Sequence, residues 1–427
     1  MKILIHGINY APELTGIGKY TGEMVEWLVA KGHEVRVVTG YPYYPEWRIG
    51  EGYSAWGYKR ESDSSYSLSP ADTGSGAAAG SLDIFRCPLW VPGKLSGTKR
   101  LLHLASFALS SFPVMLGQIF WRPDVVFVVE PPLFCAPQAW LCGRLSGAKV
   151  WLHIQDFEVD AAFELGLLPS FFRNIVGMLE RRLMSGFDRV STISTRMCER
   201  LSGKGVAVEK QVFFPNWVDT QLIFPLGYTS PMRQELGIAP ETIVLLYSGN
   251  MGEKQGLEIV IECARQLAGR REVVFVLCGD GAAYPRLRKM SEGLRNILWL
   301  PLQPFDRLND LLNLADIHLL PQRGDAADLV MPSKLTGILA SGRPVVATAV
   351  PGTQVAVVVE ACGIVTRPEN AEEFMNAIVE LAGSREKRVQ LGNAAREYAV
   401  CNLGKNKVLA CFERDIFDCV AKRDEVR

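Results

Sequence analysis

The stretch "TIVLLYSGNMGEKQG", Thr242 to Gly256, runs through successive apolar positions and then places Gly249, Gly252 and Gly256 in the segment that follows. A strand with one wet face alternates apolar and polar residues, whereas a strand roofed by helices on both faces does not. The unbroken run therefore predicts a buried parallel strand that ends in a glycine loop, with a helix behind it. That unit decides the fold class, because the chain repeats it almost from end to end.

Upstream, "KILIHGI", "EVRVVTG", "DIFRCP", "DVVFVVE", "KVWLHIQD" and "RVSTIS" read as strands of a first half. Downstream, "EVVFVLCGD", "NILWLPL", "IHLLPQ", "RPVVATAV" and "CGIVTR" continue the second. Helical stretches lie between them; in "YTGEMVEWLVAKGH", Met24, Val25, Leu28 and Val29 form one apolar stripe. Alternation at this density predicts an α/β protein of two doubly wound, Rossmann-like domains. A length of 427 residues also exceeds what one core usually holds. Prolines and aromatics interrupt the rhythm in "FFPNWVDTQLIFPLGYTSPMRQELG", so the domains are expected at 1–214 and 215–393. The charged helical pattern from Ala394, residues 394–427, is expected to pack back on the first domain. "ESDSSYSLSPADTGSGAAAGSLD" (61–83) is poor in apolar residues and reads as a mobile surface loop.

The 46 basic and 46 acidic residues cancel, which argues against a general nucleic-acid binder. Ten scattered cysteines without a C-x-x-C pair suit a reducing compartment rather than a disulfide framework. Lys2 followed at once by a β-type run reads as a first strand, not a signal peptide.

Ligands of open α/β sheets gather beyond the carboxyl ends of the strands. In the second half, "YSGNMGEKQG" brings Gly249, Asn250 and Lys254 there, and "CGDGAAYPRL" sets Gly279 and Gly281 on either side of Asp280. "PSKLTGILASGRPVVA" opens a helix with Ser333, Lys334 and Leu335. Glycine loops at helix N-termini present backbone N–H groups, and lysines add fixed positive charge, a combination that suits a diphosphate. Neither a P-loop nor a full dinucleotide fingerprint is present.

In the first half, "YAPELTGIGKY" with Gly16 and Gly18 has three readings: a phosphate cradle, a wall that lets a substrate approach the backbone, or a tight turn. "WLHIQDFEVD" brings His153 and Asp156 to a strand end, where they could orient hydroxyl groups. The competing reading of His153, flanked by apolar neighbours, is a core histidine. Glu130 of "VEPPLFCAP" stands at another strand end. No D-x-D pair occurs, so no metal bridging a diphosphate and no cofactor is expected.

Several of these segments together resemble the GT-B glycosyltransferases of family 4. "PSKLTGILASGRPVVA" is similar to their signature helix and strand, "GNMGEKQGLE" and "CGDGAAYPRL" to their donor loops, and "FFPNWVD" to their interdomain segment. "YPYYPEWR" and "WLHIQDFEVDAAFELGLL" resemble the fucosyltransferase type of colanic acid biosynthesis. The resemblance implies two domains facing across a cleft, the first for the acceptor and the second for a nucleotide-diphosphate sugar. It implies metal-independent transfer with retention, of fucose from GDP-fucose, onto a lipid-linked oligosaccharide. Gly16 and Gly18 would then approach the donor, and Asp156 with His153 would serve the catalytic side. Two departures stand out. Asn250 and Lys254-Gln255 occupy positions where the family often has arginine and lysine, and Leu329 and Gly337 replace its two glutamates.

A lipid-linked acceptor implies work at the inner face of the plasma membrane, as a cytoplasmic, peripheral protein. The uncharged stretch Leu101 to Trp121, with Lys94, Lys99, Arg100 and Arg122 around it, is the expected docking surface. Two other functions remain open on the residues: a sugar-nucleotide 2-epimerase, and a non-catalytic nucleotide-sugar binding subunit.

Overall fold

The computed structural model describes residues 1–63, 80–93, 97–164, 169–324 and 331–421. The chain forms two compact units, one of Met1–Pro215 with the chain from Leu409 onward, the other of Asn216–Val408.

The first unit is built on β1 (Lys2–His6), β2 (Glu34–Gly40), β3 (Lys59–Asp63), β4 (Ser81–Cys87), β5 (Val125–Glu130), β6 (Lys149–Ile154), β7 (Arg189–Thr192) and β8 (Gln211–Phe213). They form one sheet in the order β3-β4-β2-β1-β5-β6-β7-β8, parallel except for β3 against β4. The second unit has β9 (Ile243–Ser248), β10 (Val273–Cys278), β11 (Ile297–Leu300), β12 (Ile317–Leu320), β13 (Val345–Thr348) and β14 (Gly363–Thr366). Its sheet is parallel throughout, in the order β11-β10-β9-β12-β13-β14. Burial explains the unbroken apolar runs: every residue of β5 is buried, as are Val244 to Tyr247 of β9. The winding reverses between β1 and β5 in the first unit and between β9 and β12 in the second. Each reversal opens a crevice at the strands' carboxyl ends, where such folds hold ligands.

The helices that matter below are α1 (Gly16–Ala30), α2 (Gly97–Gln118), α3 (Glu158–Glu164), α4 (Arg173–Ser185), α5 (Glu258–Gln266), α6 (Ser333–Ala340), α7 (Arg385–Tyr398) and α8 (Lys405–Ala421). The uncharged stretch is one helix, α2, which continues through Pro113 and ends in a short turn, Ile119–Trp121. By length and composition it could cross a membrane. Its inner face, including His103, Leu104, Phe107 and Met115, is nonetheless buried in the first unit, while Leu102 and Leu109 are exposed.

Three features depart from the sequence expectation. The segment expected as a loop begins with β3, an edge strand without apolar alternation, held to β4 by its ladder and by Arg60 on Asp83. Residues 64–79 of that segment lie outside the described residues. Strand β8 is three residues long, too short for a pattern to announce it. The chain also returns to the first unit at Leu409 rather than at Ala394. The intervening helix α7 and the turn after it bury Ala395, Ala399 and Leu403 in the second unit's core, and Arg396 donates to the carbonyls of Thr220, Ile223 and Ala340. Only beyond that point does α8 turn Phe412 onto Phe214, with ring centroids 4.3 Å apart, and bring Glu413 to His33 Nε2 at 2.8 Å.

Candidate functional site

Three loops meet at the crevice of the second unit. The loop after β9 and the loop after β10 approach so closely that two glycines are obligatory. A Cβ on Gly279 would lie 2.0 Å from the Gly249 carbonyl oxygen, and one on Gly281 would lie 2.6 Å from Asn250 Oδ1. Both residues, and Gly249, have positive φ, at +145°, +152° and +126°. Backbone bonds then knit the loops: Gly249 N–H to Cys278 O, Met251 N–H to Asp280 O and Ala283 N–H to Met251 O. The loop after β12 joins from the other side of the reversal, where Arg323 N–H donates to Lys254 O at 3.0 Å.

Lys334 enters this arrangement from the first turn of α6. Its Nζ donates to Tyr247 Oη at 2.8 Å, lies over the Tyr247 ring at 4.4 Å, and sits 3.6 Å from where a Cβ of Gly249 would be. Tyr247 is fully buried and spends its own proton on Asn250 O, so its hydroxyl is a fixed acceptor for the amine. Burial lowers the Lys334 pKa to about 8, because desolvation opposes the charged form and no carboxylate among the described residues offsets it. The result is a cation held at a helix N-terminus that lacks a side-chain cap, a setting favourable to an anion. Ser333 is exposed beside it; Leu335 is fully buried and anchors the turn. Lys254 is exposed in the β9 loop, as is Asn250, whose carbonyl takes the Tyr247 proton.

Sequence reasoning missed several residues here. Tyr247 orders Lys334, and only its place two residues before a loop glycine hinted at that. Arg323 pairs with Glu258 at 3.0 Å, and Arg286 pairs with Glu253 and Glu258 on the outer side of the loops. A groove of about 370 Å³ lies alongside, lined by Gly256, Glu258, Gln322, Arg323, Thr348 and Glu369. Gly337 lies on α6 against Leu312, with no carboxylate at that position. Asp328 and Leu329 lie outside the described residues.

In the first unit, α1 begins at Gly16, whose φ of +58° calls for glycine while its Cβ direction is only in ordinary contact. Gly18 is required by a neighbour in the loop before α1. A Cβ there would lie 2.6 Å from Glu13 Oε2, so this glycine makes room for a carboxylate of the protein itself. Glu13 in turn accepts from Tyr43 N and Tyr44 N, both at 3.0 Å, and from Asn9 Nδ2 at 2.9 Å, pinning the opening loop.

His153 corrects the catalytic expectation. It is buried, its Nδ1 meets Ser191 Oγ at 2.9 Å, its Nε2 meets Gln155 Nε2 at 3.0 Å, and Phe127 stacks on its ring. Burial lowers its pKa to about 3, so the ring is a neutral packing element near pH 7. Asp156 is exposed in the turn before α3, beside Glu158, whose pKa is raised first by burial and further by the Asp156 charge. Behind it, Glu130 is fully buried, and neither oxygen has a hydrogen-bond partner among the described residues. Desolvation, then the Glu158 and Glu180 charges, push its pKa well above the usual carboxylate range.

Comparison with known proteins adds to this geometry. Residues 15–217 match the family described as glycosyl transferase 4-like domain, and residues 229–398 match glycosyl transferases group 1. A putative colanic acid biosynthesis glycosyl transferase, WcaI of Escherichia coli (strain K12), is 45% identical over 97% of this chain and 100% of its own length. A D-inositol 3-phosphate glycosyltransferase of Corynebacterium aurimucosum is 27% identical over 40% of this chain and 42% of its own. Among solved structures, the sucrose-phosphate synthase of Thermosynechococcus elongatus superposes with a TM-score of 0.72 at 15% identity, covering 99% of both chains. Anabaena HepE in complex with UDP and glucose superposes with a TM-score of 0.64 at 14% identity, over 98% of this chain and 100% of that one.

Proposed function

The chain belongs to the family 4 glycosyltransferases of GT-B fold, and on that premise we propose that it transfers a sugar from a nucleoside diphosphate to a lipid-linked oligosaccharide during synthesis of an exopolysaccharide of the colanic acid kind. The sugar we assign is fucose, carried on GDP. The name of the Escherichia coli relative supports the pathway, and the resemblance of the first-domain motifs supports the sugar. The observation that carries the donor assignment is Lys334. It is a half-buried cation with one neutral hydrogen-bond partner, at a helix N-terminus and against a glycine of positive φ.

In this reading the diphosphate lies across the α6 N-terminus and the glycine loops, with Lys334 and Lys254 opposing its charge. As the glycosidic bond breaks, negative charge grows on the leaving diphosphate, and a preformed cation stabilises that change without reorganising. Retention follows if the acceptor hydroxyl oxygen bonds the anomeric carbon on the face from which the diphosphate departs, as the carbon–oxygen bond to the diphosphate breaks and a phosphate oxygen takes the hydroxyl proton. Asp156 orients the acceptor. Incubation with a panel of GDP- and UDP-sugars and a lipid-linked acceptor tests the whole. A glycosylated lipid with retained anomeric configuration is expected. An epimerised sugar would favour the 2-epimerase, and binding without turnover of any acceptor would favour a binding subunit.

Metal-independent chemistry is expected, since the cations just described supply the charge. Turnover in excess EDTA should stay within about twofold of the untreated rate. Abolition by chelation, with recovery on adding magnesium or manganese, would contradict this.

A peripheral position at the inner membrane face is the second part of the proposal. Besides α2, the turn Ser170–Phe172 and helix α4 expose Phe171, Phe172, Ile175, Met178 and Leu179 at helical spacing, with exposed Arg173, Arg181 and Arg182 among them. Such a face suits an anionic interface, each cation contributing on the order of 1 kcal/mol. Co-sedimentation with anionic liposomes is expected at low salt. It should weaken in high salt, in Ile175→Ser, and when Lys99 and Arg100 become serine. Wild type remaining in the supernatant at low salt would refute membrane docking. Lys94, expected to contribute, lies outside the described residues.

A further inference from the structure

A second cavity, of about 690 Å³, lies in the first unit and is used by none of the steps above. Its walls are aromatic and aliphatic: Trp47, Ile49, Trp56, Leu89 and Trp90, with Arg48 among them. Such a volume falls in the range of small-molecule sites.

The walls are held in place. Trp90 N donates to Ser106 Oγ at 2.9 Å, and Trp90 O accepts from His103 Nδ1–H at 2.6 Å, so two residues of α2 clamp that strand end. Tyr58 Oη donates to Ser110 O at 2.9 Å and ties the opposite wall to the same helix. Trp47, one of three non-glycine residues with positive φ among those described, packs edge-on against Tyr43 and His103 with centroids 5.4 Å away in each case. A strained, well-braced tryptophan is the kind of feature found at ligand clamps. Yet the apolar surface it braces is not covered: Trp56 is 87% and Trp90 46% exposed.

Two surroundings indicate what covers it. Ser106 and Ser110 line the groove, and the exposed Leu102 and Leu109 lie within one helical turn of Ser106, so the groove runs onto the apolar outer face of α2. Cations stand at the groove as well. Arg48 is in the lining, and Arg100 stands one helical turn before His103 on α2, the residue on which Trp47 rests. A hydrocarbon surface that ends in guanidinium groups complements an amphiphile with a phosphorylated head.

We propose that this groove holds the hydrocarbon tail of the acceptor's own lipid, with the phosphate or diphosphate at its head meeting Arg48 and Arg100. The assignment rests on the lipid-linked acceptor proposed above and names the part of the protein that recognises the lipid. It makes the first unit selective for a tailed acceptor over a free glycan.

Farnesyl diphosphate, kept below its micelle-forming concentration, is the probe, and tryptophan fluorescence with calorimetry is the readout. Wild type should bind it at least tenfold more tightly than inorganic diphosphate and than dihexanoylphosphatidylglycerol. Trp56→Ala with Trp90→Ala should weaken that binding at least tenfold, with circular dichroism and melting temperature unchanged. Arg48→Ala should weaken farnesyl diphosphate binding and leave farnesol binding unchanged. Farnesyl diphosphate binding that ignores both tryptophans overturns the proposal, as does equal binding of the short phospholipid, which would mark a bulk-lipid site. Nucleoside diphosphate binding, measured on the same samples, separates this result from the functional reading. If it persists where tail binding fails, only the groove assignment falls; if it is absent from wild type, the transferase reading falls as well.

Discussion

Lys334→Ala should weaken nucleoside diphosphate binding by roughly 10- to 100-fold, the span expected when one charge-assisted bond to phosphate is lost. Turnover should fall at least as far, because the same cation meets the charge that develops on the leaving group. Titration calorimetry on the folded variant is the check, and wild-type affinity in Lys334→Ala would remove this residue from the donor site. The lowered pKa adds a pH dependence whose sign is fixed. With the free amine titrating at about 8, donor binding should weaken as the pH rises above that value, because the protonated fraction falls. In the alanine variant that slope should vanish. Stability moves the other way. The folded-state pKa lies below the ordinary 10.5, so the cost of burying the charge is present in full below about pH 8 and fades towards pH 10.5.

Gly279→Ala should be the most damaging single-methyl change in the second unit. The added Cβ would stand 2.0 Å from the Gly249 carbonyl oxygen at a φ of +145°, so either the β9 loop or the β10 loop has to move. Strain of this kind costs on the order of 1–3 kcal/mol before any loss of packing. A fall in melting temperature of roughly 5–10 °C is expected from the usual entropy of unfolding for a unit of this size. Donor binding should be lost even where the fold survives, because Gly249 lies beside Lys334. Gly269→Ala is the control. Its Cβ would meet nothing within 4 Å, and the change should stay within about 0.5 kcal/mol. Equal stabilities for the two variants would contradict the close approach described for the loops.

The parts of the fold that were legible in the sequence are those where burial imposes a pattern. Strand β5 is buried at every position and reads as an unbroken apolar run; β3, an edge strand of Lys, Arg, Glu, Ser and Asp, carries no such mark. The extent of the return helix could not be read, because the chain before Leu409 and the chain after it show the same spacing and differ only in which core they meet. At the site, glycines and lysines could be located because their chemistry is local. Gly279 and Gly249 were marked by type, although their mutual contact belongs to the tertiary structure. Gly18 shows the limit of such reasoning: a loop glycine needed for close approach looks the same whether the approaching group is a substrate or Glu13. His153 shows another, since the bonds from Ser191 and Gln155 and the stacking of Phe127 come from other strands or from the chain beyond its own. Tyr247 escaped notice because a tyrosine at a strand end usually packs, and only the fold brings Lys334 to its hydroxyl.

The central claim, that the loops of the second unit hold a nucleoside diphosphate, is tested most directly by photolabelling with 8-azido-GDP and 5-azido-UDP followed by peptide mapping. At least one of them should label Tyr247 to Leu257, Gly279 to Tyr284 or Pro321 to Leu335, and an excess of the unmodified nucleotide should prevent it. Displaceable label confined to the first unit, or none with either reagent, would contradict the account.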